Sequence, residues 1–170
     1  DIGTGSGAIC LSLLNYLPRL QAVTVDISPE ALAVAEENAR ELGLSERVEF
    51  LQGDMLEPLK QQERFSGRLS AIVSNPPYIP RGDIAGLAPD VRAFEPIGAL
   101  DGGEDGLDFY RRLLAEGAEF LQGDGFLAME AGIHQAQQLK ALAESLPQWG
   151  RCEIIRDLAG IERVVVLWKK

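Results

Sequence analysis

The sequence predicts an α/β protein with an open, doubly wound, mostly parallel sheet, helices on both faces and an antiparallel strand at the end. Three observations predict it. Short β-branched or apolar runs alternate with longer helical patterns along most of the 170 residues, as in a parallel sheet crossed by helices. The early strands close on acidic or amide residues, namely Asp1, Asp26, Asp54 and Asn75. In such sheets the carboxyl ends of the strands border the ligand crevice. The last two apolar runs are joined only by Asp157-Leu158-Ala159-Gly160. That link is too short for a crossover helix, so the two strands are antiparallel.

Each element has its own signal. Asp1-Ile2-Gly3-Thr4-Gly5-Ser6-Gly7 is a glycine-rich turn at the end of a strand, and Ala8 to Leu17 is an apolar helix stopped by Pro18. Gln21 to Val25 is a β-branched strand closed by Asp26. Ser28-Pro29-Glu30 starts a helix with a capping hydroxyl and a proline at the first position. Ala31, Val34, Ala35, Ala39 and Leu42 follow at helical spacing, and Gly43 stops the helix. Val48 to Leu51 is a strand leading to Gly53-Asp54-Met55, and Leu69 to Val73 is a buried strand. Ile79 to Gly103 is a long segment rich in Pro, Gly and Asp, a length that marks a functional or disordered loop. Asp108 to Leu121 is helical, with Leu107, Tyr110, Leu113, Leu114 and Phe120 on its inner face. Gly123-Asp124-Gly125 reads as a turn before the strand Phe126 to Met129, which closes on Glu130. Gln135 to Leu146 is an amphipathic helix stopped by Pro147, and Arg151 to Ile155 and Val164 to Trp168 are the final strands.

Residues 1–170 fit one domain, and 46% hydrophobic residues suffice for a core. A net charge of −10 argues against a general nucleic-acid binder but is compatible with a basic protein partner. Cys10 and Cys152 have no metal or redox spacing and read as buried thiols in a reducing compartment. No apolar run reaches membrane-spanning length and no secretory leader is visible, so a cytoplasmic location is expected. The opening Asp1-Ile2-Gly3 looks like the end of a strand, and the chain is expected to continue upstream.

The chemistry centres on Ser74-Asn75-Pro76-Pro77-Tyr78. Asn75 and Pro76 both precede prolines, so the chain leaves the strand stiff and extended. The prolines have no N–H, and their carbonyls are not taken up by a helical turn. Asn75 adds an amide and Tyr78 a flat ring with a polar tip. This is a rigid acceptor cluster beside an aromatic face, suited to a planar NH2 group; the plain alternative is a strand-ending turn. The first turn matches the dinucleotide pattern at Gly3, Gly5 and Ala8. A pyrophosphate there calls for N–H groups without a nearby carboxylate. Asp1 heads the turn, and the first basic residue is Arg19. A cationic ligand fits better. S-adenosylmethionine carries an ammonium, a sulfonium, a ribose and an adenine. Asp26 suits its ribose hydroxyls, Asp54 its adenine amine and Met55 the face of its base.

With these residues in view, the chain resembles class I S-adenosylmethionine-dependent methyltransferases. More narrowly, it resembles the protein-(glutamine-N5) methyltransferases that modify peptide chain release factors. The resemblance is carried by residues 1–7, Val25-Asp26-Ile27-Ser28, Gly53-Asp54-Met55, Asn75-Pro76-Pro77-Tyr78-Ile79, Val91-Arg92-Ala93-Phe94-Glu95-Pro96 and Gly102-Gly103-Glu104-Asp105-Gly106-Leu107. It implies a seven-strand sheet with the last strand antiparallel. It implies cofactor contacts at Asp1, Gly3, Thr4, Gly5, Ser6, Gly7, Asp26, Ile27, Asp54, Met55 and Asn75. It also implies substrate contacts at Asn75, Pro76, Pro77 and Tyr78, with Asn75, Pro76 and Tyr78 catalytic. The implied partner is a class I release factor, met by a monomer without membrane, metal or direct nucleic-acid contact. The family carries a small helical domain ahead of this one and a complete first strand, central in the sheet; neither is in this sequence. Asn-Pro-Pro-Tyr is shared with DNA adenine-N6 methyltransferases, which need phosphate-binding Lys and Arg. Here 26 acidic residues outnumber 16 basic ones. Methylation of a ribosomal protein, a cofactor-binding fragment without turnover and a nicotinamide-dependent oxidoreductase are the other readings. His134 reads as a helix-start or surface residue rather than a base, and Glu130 as structural or loop-ordering, with catalysis the alternative. Arg92 and Glu95 either pair with each other or order the loop over a peptide. Trp149 and Trp168 read as packing, and Glu36, Glu37, Arg40 and Glu41 as a solvated face.

Overall fold

The computed structural model describes the backbone of residues 1–170 and the side chains of all but residues 91, 92 and 94. The strands are β1 (Ala22–Asp26), β2 (Val48–Gln52), β3 (Leu69–Ser74), β4 (Leu121–Glu130), β5 (Trp149–Arg156) and β6 (Glu162–Lys169). Between them lie α1 (Ala8–Tyr16), α2 (Pro29–Glu41), α3 (Glu57–Lys60), α4 (Pro89–Phe94), α5 (Ile97–Leu100), α6 (Asp108–Phe120) and α7 (Ala136–Glu144). β1 pairs with β2 in parallel, and β3 with β4 in parallel. β6 lies antiparallel between β4 and β5. Ile2 joins the two groups through parallel bridges to Val25 and Ser74. The order is therefore β2-β1-Ile2-β3-β4-β6-β5. Short β-strands joined by helices, then a hairpin, give the arrangement the sequence predicts.

Strand alternation sorts the core. Val23, Val25 and Leu51 pack with the larger apolar cluster, which takes in Leu56, Leu59, Tyr110, Leu113, Leu127 and Leu139. Ala22, Val48 and Phe50 pack with the smaller one of Cys10, Leu11, Leu14, Ala39 and Leu44. Neighbours along a strand point to opposite faces. The helices α1 and α2 therefore cover one face, and α3, α6 and α7 the other.

Local chemistry explains the helices. Ser28 Oγ accepts from Ala31 N at 3.1 Å, and Pro29 opens α2. The buried stripe of α2 is Leu32, Ala35 and Ala39; Val34 and Leu42, predicted beside it, are 48% and 57% exposed. The predicted inner face of α6 is buried at all five positions. Arg47 donates to Leu14 O (2.8 Å), Leu17 O (3.1 Å) and Pro18 O (3.1 Å), so one guanidinium closes the carboxyl end of α1.

Three details differ from the sequence reading. The Gly123-Asp124-Gly125 turn lies inside β4: partners run from Leu69↔Leu121 to Ala71↔Phe126, so extra residues bulge out, with Asp124 at φ 64°. The segment 79–103 is not a bare loop. It holds a 3-10 turn (Arg81–Gly86), α4 and α5, and its base is closed by an Ile79–Asp101 bridge and an Arg81–Asp101 ion pair at 2.9 Å. Cys10 is buried, but Cys152 is only half-buried. Both tryptophans pack as the sequence predicts: Trp149 is core, its Nε1 donating to Leu114 O at 2.8 Å, and Trp168 is half-buried against Phe126 and beneath Arg151. Glu36, Glu37, Arg40 and Glu41 form an exposed face.

Candidate active site

The glycine turn is held between two strand ends. Ile2 N donates to Val73 O (2.9 Å), Gly3 N and Thr4 N donate to Val25 O (2.8 and 3.1 Å), and Val25 N donates to Asp1 O (2.9 Å). Gly3, Gly5 and Gly7 have φ of +72°, +55° and +82°. A Cβ on Gly7 lands 2.9 Å from Leu11 and 3.3 Å from Ala35, so that glycine admits the helix packing. A Cβ on Gly3 or Gly5 meets nothing within 4 Å. These two glycines border open space rather than protein.

Carboxylates surround that space. Asp1 Oδ2 accepts from Thr4 Oγ1 (2.9 Å) and Cys10 N (3.2 Å), while Asp1 Oδ1 is buried with no hydrogen-bond partner among the described residues. A buried carboxylate oxygen without a donor is costly. Asp26 is aimed by two backbone donors: Gly5 N to Oδ2 (2.8 Å) and Ser28 N to Oδ1 (2.9 Å). Each oxygen keeps a further lone pair for a hydroxyl. Ile27 stands beside it, 67% exposed. Ser6 is exposed, its carbonyl bound by Asn38 Nδ2 at 2.9 Å. Gly53 N donates to Asp26 O at 2.9 Å, tying the Asp54-Met55 turn to the same edge. Met55 is buried with φ of +56°, a conformation uncommon outside glycine and found at ligand sites. Arg112 from α6 grips Asp54 with both terminal nitrogens, at 3.0 and 2.8 Å. The carboxylate assigned from sequence to an adenine amine is thus already paired with a guanidinium.

The second half of the site follows β3. Ser74 Oγ donates to Ile2 O at 2.6 Å in a buried contact, which fixes the start of the Asn75-Tyr78 stretch against the glycine turn. Asn75 is exposed, Pro76 buried, and Pro77 and Tyr78 half-buried. Gln135 Nε2 donates to Tyr78 O at 2.9 Å. Tyr110, with its phenol pushed upward by burial, remains a donor and binds Glu130 O at 2.7 Å. Glu130 contributes its backbone to that contact. His134 is exposed, with φ of +71°. Arg92 lies outside the described side chains, so its pairing with Glu95 has no structural account. Among the described residues no cluster of His, Cys, Asp and Glu has the makings of a metal site, and no helix is long and apolar enough to cross a membrane.

The structure therefore brings Asp1, the Gly3–Gly7 turn, Asp26, the Asp54-Met55 turn and Asn75 to one edge of the sheet. Sequence reasoning missed Arg112, one of two adjacent arginines on the outer side of α6, whose partner lies 58 residues away. It also missed Gln135, read only as a helix start.

An α/β sheet with acid-lined strand ends and an open glycine turn is shared by several classes of enzyme, and comparison with known proteins supplies the class. A family described as a methyltransferase domain matches residues 1–95, which hold the turn, Asp26, Asp54 and Asn75. The chain belongs to that family. It is 49% identical over 170 residues to a release factor glutamine methyltransferase of Moorella thermoacetica, covering 100% of this chain and 58% of the relative. It is 45% identical over 165 residues to that of Geobacter sulfurreducens, covering 97% and 55%. The chain thus spans little more than half the length of these curated relatives. Among solved structures, a methyltransferase from Pyrococcus furiosus superposes with a TM-score of 0.68 at 16% identity, over 98% of this chain and 72% of that one. An O-methyltransferase from Bacillus cereus, solved in complex with SAH, gives 0.64 at 14% identity over 99% and 72%. Likeness at these identities is likeness of fold.

Proposed function

We propose that residues 1–170 are the catalytic domain of an enzyme that methylates the side-chain amide nitrogen (N5) of a glutamine in a peptide chain release factor. One observation carries the reading: Ile2 is bridged to both Val25 and Ser74, so the glycine turn and the Asn75-Pro76-Pro77-Tyr78 hook are neighbours on one edge. The names of the similar relatives support the substrate.

S-adenosylmethionine, held at this edge, supplies an electrophilic methyl on a sulfonium. Asp1 Oδ1 receives its ammonium, Asp26 its ribose hydroxyls, and Met55 and Ile27 flank its base. Gly3, Thr4, Gly5, Ser6 and Gly7 form the wall, with Gly3 and Gly5 leaving the room. Asp54, paired with Arg112, bounds the adenine end. The amide nitrogen of glutamine is a poor nucleophile because its lone pair is delocalised into the carbonyl. The Asn75 side-chain oxygen and the Pro76 carbonyl each accept one of its N–H bonds, and Tyr78 stacks on the amide plane beside Pro77. Two acceptors turn the lone pair toward the methyl and stabilise the positive charge that develops on nitrogen. Held in line, such groups contribute up to about 7–11 kcal/mol through orientation alone. No base is needed at the start: breaking the carbon–sulfur bond would leave neutral S-adenosylhomocysteine and a cationic amide nitrogen, whose proton, acidic only then, passes to solvent.

The test is methyl transfer from radiolabelled S-adenosylmethionine by the full-length protein, offered a release factor, a ribosomal protein and DNA separately. Label in the release factor is expected. Label in DNA alone, or in none of the three, refutes the proposal.

A further inference from the structure

We infer that Gln135 is a positioning residue that sets where the Asn75-Tyr78 hook stands; the inference rests on the methyl-transfer reading of that hook. Gln135 is 8% exposed, and its amide reaches three separate segments. Nε2 donates to Tyr78 O (2.9 Å) and to Gly106 O (3.3 Å), while Oε1 accepts from Gly132 N (3.0 Å). Both amide hydrogens and one oxygen lone pair are in use, which makes the orientation of the amide unambiguous.

The surroundings are cut to fit this contact. A Cβ on Gly106 stands 2.4 Å from Tyr78 O and 2.8 Å from Gln135 Nε2. One on Gly132 stands 2.5 Å from Gln135 Oε1 and 2.9 Å from the Tyr78 ring. One on Gly102 stands 2.8 Å from the Tyr78 backbone. Three glycines thus crowd Tyr78, and Gln135 closes the ring. The two prolines cannot donate a backbone hydrogen bond, so the hook cannot fix itself from within. It is fixed at its ends instead. Ser74 Oγ ties the first end to Ile2 O beside the glycine turn, and Gln135 ties Tyr78 at the last, next to the backbone bonds of Ile79 with Leu100 and Gly102. Between these anchors the Asn75 oxygen and the Pro76 carbonyl hold their place relative to the methyl donor. A displacement of about 1 Å in such a group costs on the order of 100-fold in rate.

The experiment compares full-length wild type with Gln135→Met and Gln135→Glu. Met keeps the length and removes every polar contact. Glu keeps the acceptor for Gly132 N and the shape, and carries the comparison where the Met variant does not fold. Three quantities are read: affinity for S-adenosylhomocysteine, steady-state kcat and acceptor KM, and hydrogen exchange by mass spectrometry. The expected result is a kcat lower by about 100-fold, with acceptor KM and S-adenosylhomocysteine affinity little changed. Exchange is expected to quicken in residues 75–80, 104–107 and 132–135 and not elsewhere. A kcat within about threefold of wild type in a folded variant, or a loss spread evenly over affinity, KM and kcat, overturns the inference. A wild-type protein that methylates no glutamine acceptor defeats the functional reading instead. Exchange then decides the inference alone: local quickening upholds it, and an unchanged pattern overturns it.

Discussion

Replacing Gly5 with alanine separates a ligand cradle from a structural turn. Gly5 has φ of +55°, and its added Cβ meets no atom within 4 Å. The fold therefore loses only the backbone term, about 1–2 kcal/mol for an L-residue in the left-handed region. For a domain of this size that is a fall in Tm of about 2–8 °C. The ligand loses more, because the methyl occupies space it needs. Overpacking by one methyl costs about 1–3 kcal/mol, or 5–150-fold in affinity. Gly7→Ala is the control. Its Cβ presses on Leu11 and Ala35 rather than on open space, so stability falls further than at Gly5. The assay is calorimetric titration of the full-length variants with S-adenosylhomocysteine, alongside thermal melts. If Gly5→Ala binds within about twofold of wild type while its melting point falls, the turn is not a cofactor cradle and the reasoning fails.

Other outcomes follow from the same geometry. Asn75→Ala is expected to lower turnover by at least about 100-fold with S-adenosylhomocysteine binding largely kept, measured by single-turnover transfer and titration. Arg47→Ala strips three carbonyls at the end of α1 of their shared donor. Chemical denaturation should show a loss of about 1–2 kcal/mol, the low end for hydrogen bonds to a charged group that is partly solvated. Gly102→Ala forces a Cβ to 2.8 Å from the Tyr78 backbone and should lose turnover and stability together, read by kinetics and melts on one preparation. Asp157 accepts from Ile161 N and Ala159 N and faces Arg163, and these hold its carboxyl below its ordinary value of 3.8. A depressed carboxyl stabilises the fold above the unfolded value and loses that contribution as pH falls through the folded one. Asp157→Asn should therefore flatten the acid limb of a stability-against-pH curve.

Strand ends and the glycine turn were legible because their signals are local. A β-branched run closed by Asp26, or two prolines after Asn75, dictates backbone geometry wherever it stands. The helix starting at Pro29 was legible for the same reason, though its buried stripe was not. Val34 lies at the right spacing but outside the stripe of Leu32, Ala35 and Ala39, because the neighbouring sheet decides which face is covered. The bulge in β4 was misread since Gly-Asp-Gly supplies the same left-handed backbone to a bulge as to a turn. Arg112 and Gln135 could not be read at all. Their meaning lies in partners 58 and 57 residues away, brought close only by the folded sheet.

A crystal structure of the full-length protein with S-adenosylhomocysteine tests the central claim most directly. One ligand should touch Asp1, the Gly3–Gly7 turn and Asp26, with its sulfur facing the Asn75 amide. A ligand lodged on the glycine turn with its sulfur turned away from Asn75, or bound elsewhere, contradicts a single site for donor and acceptor.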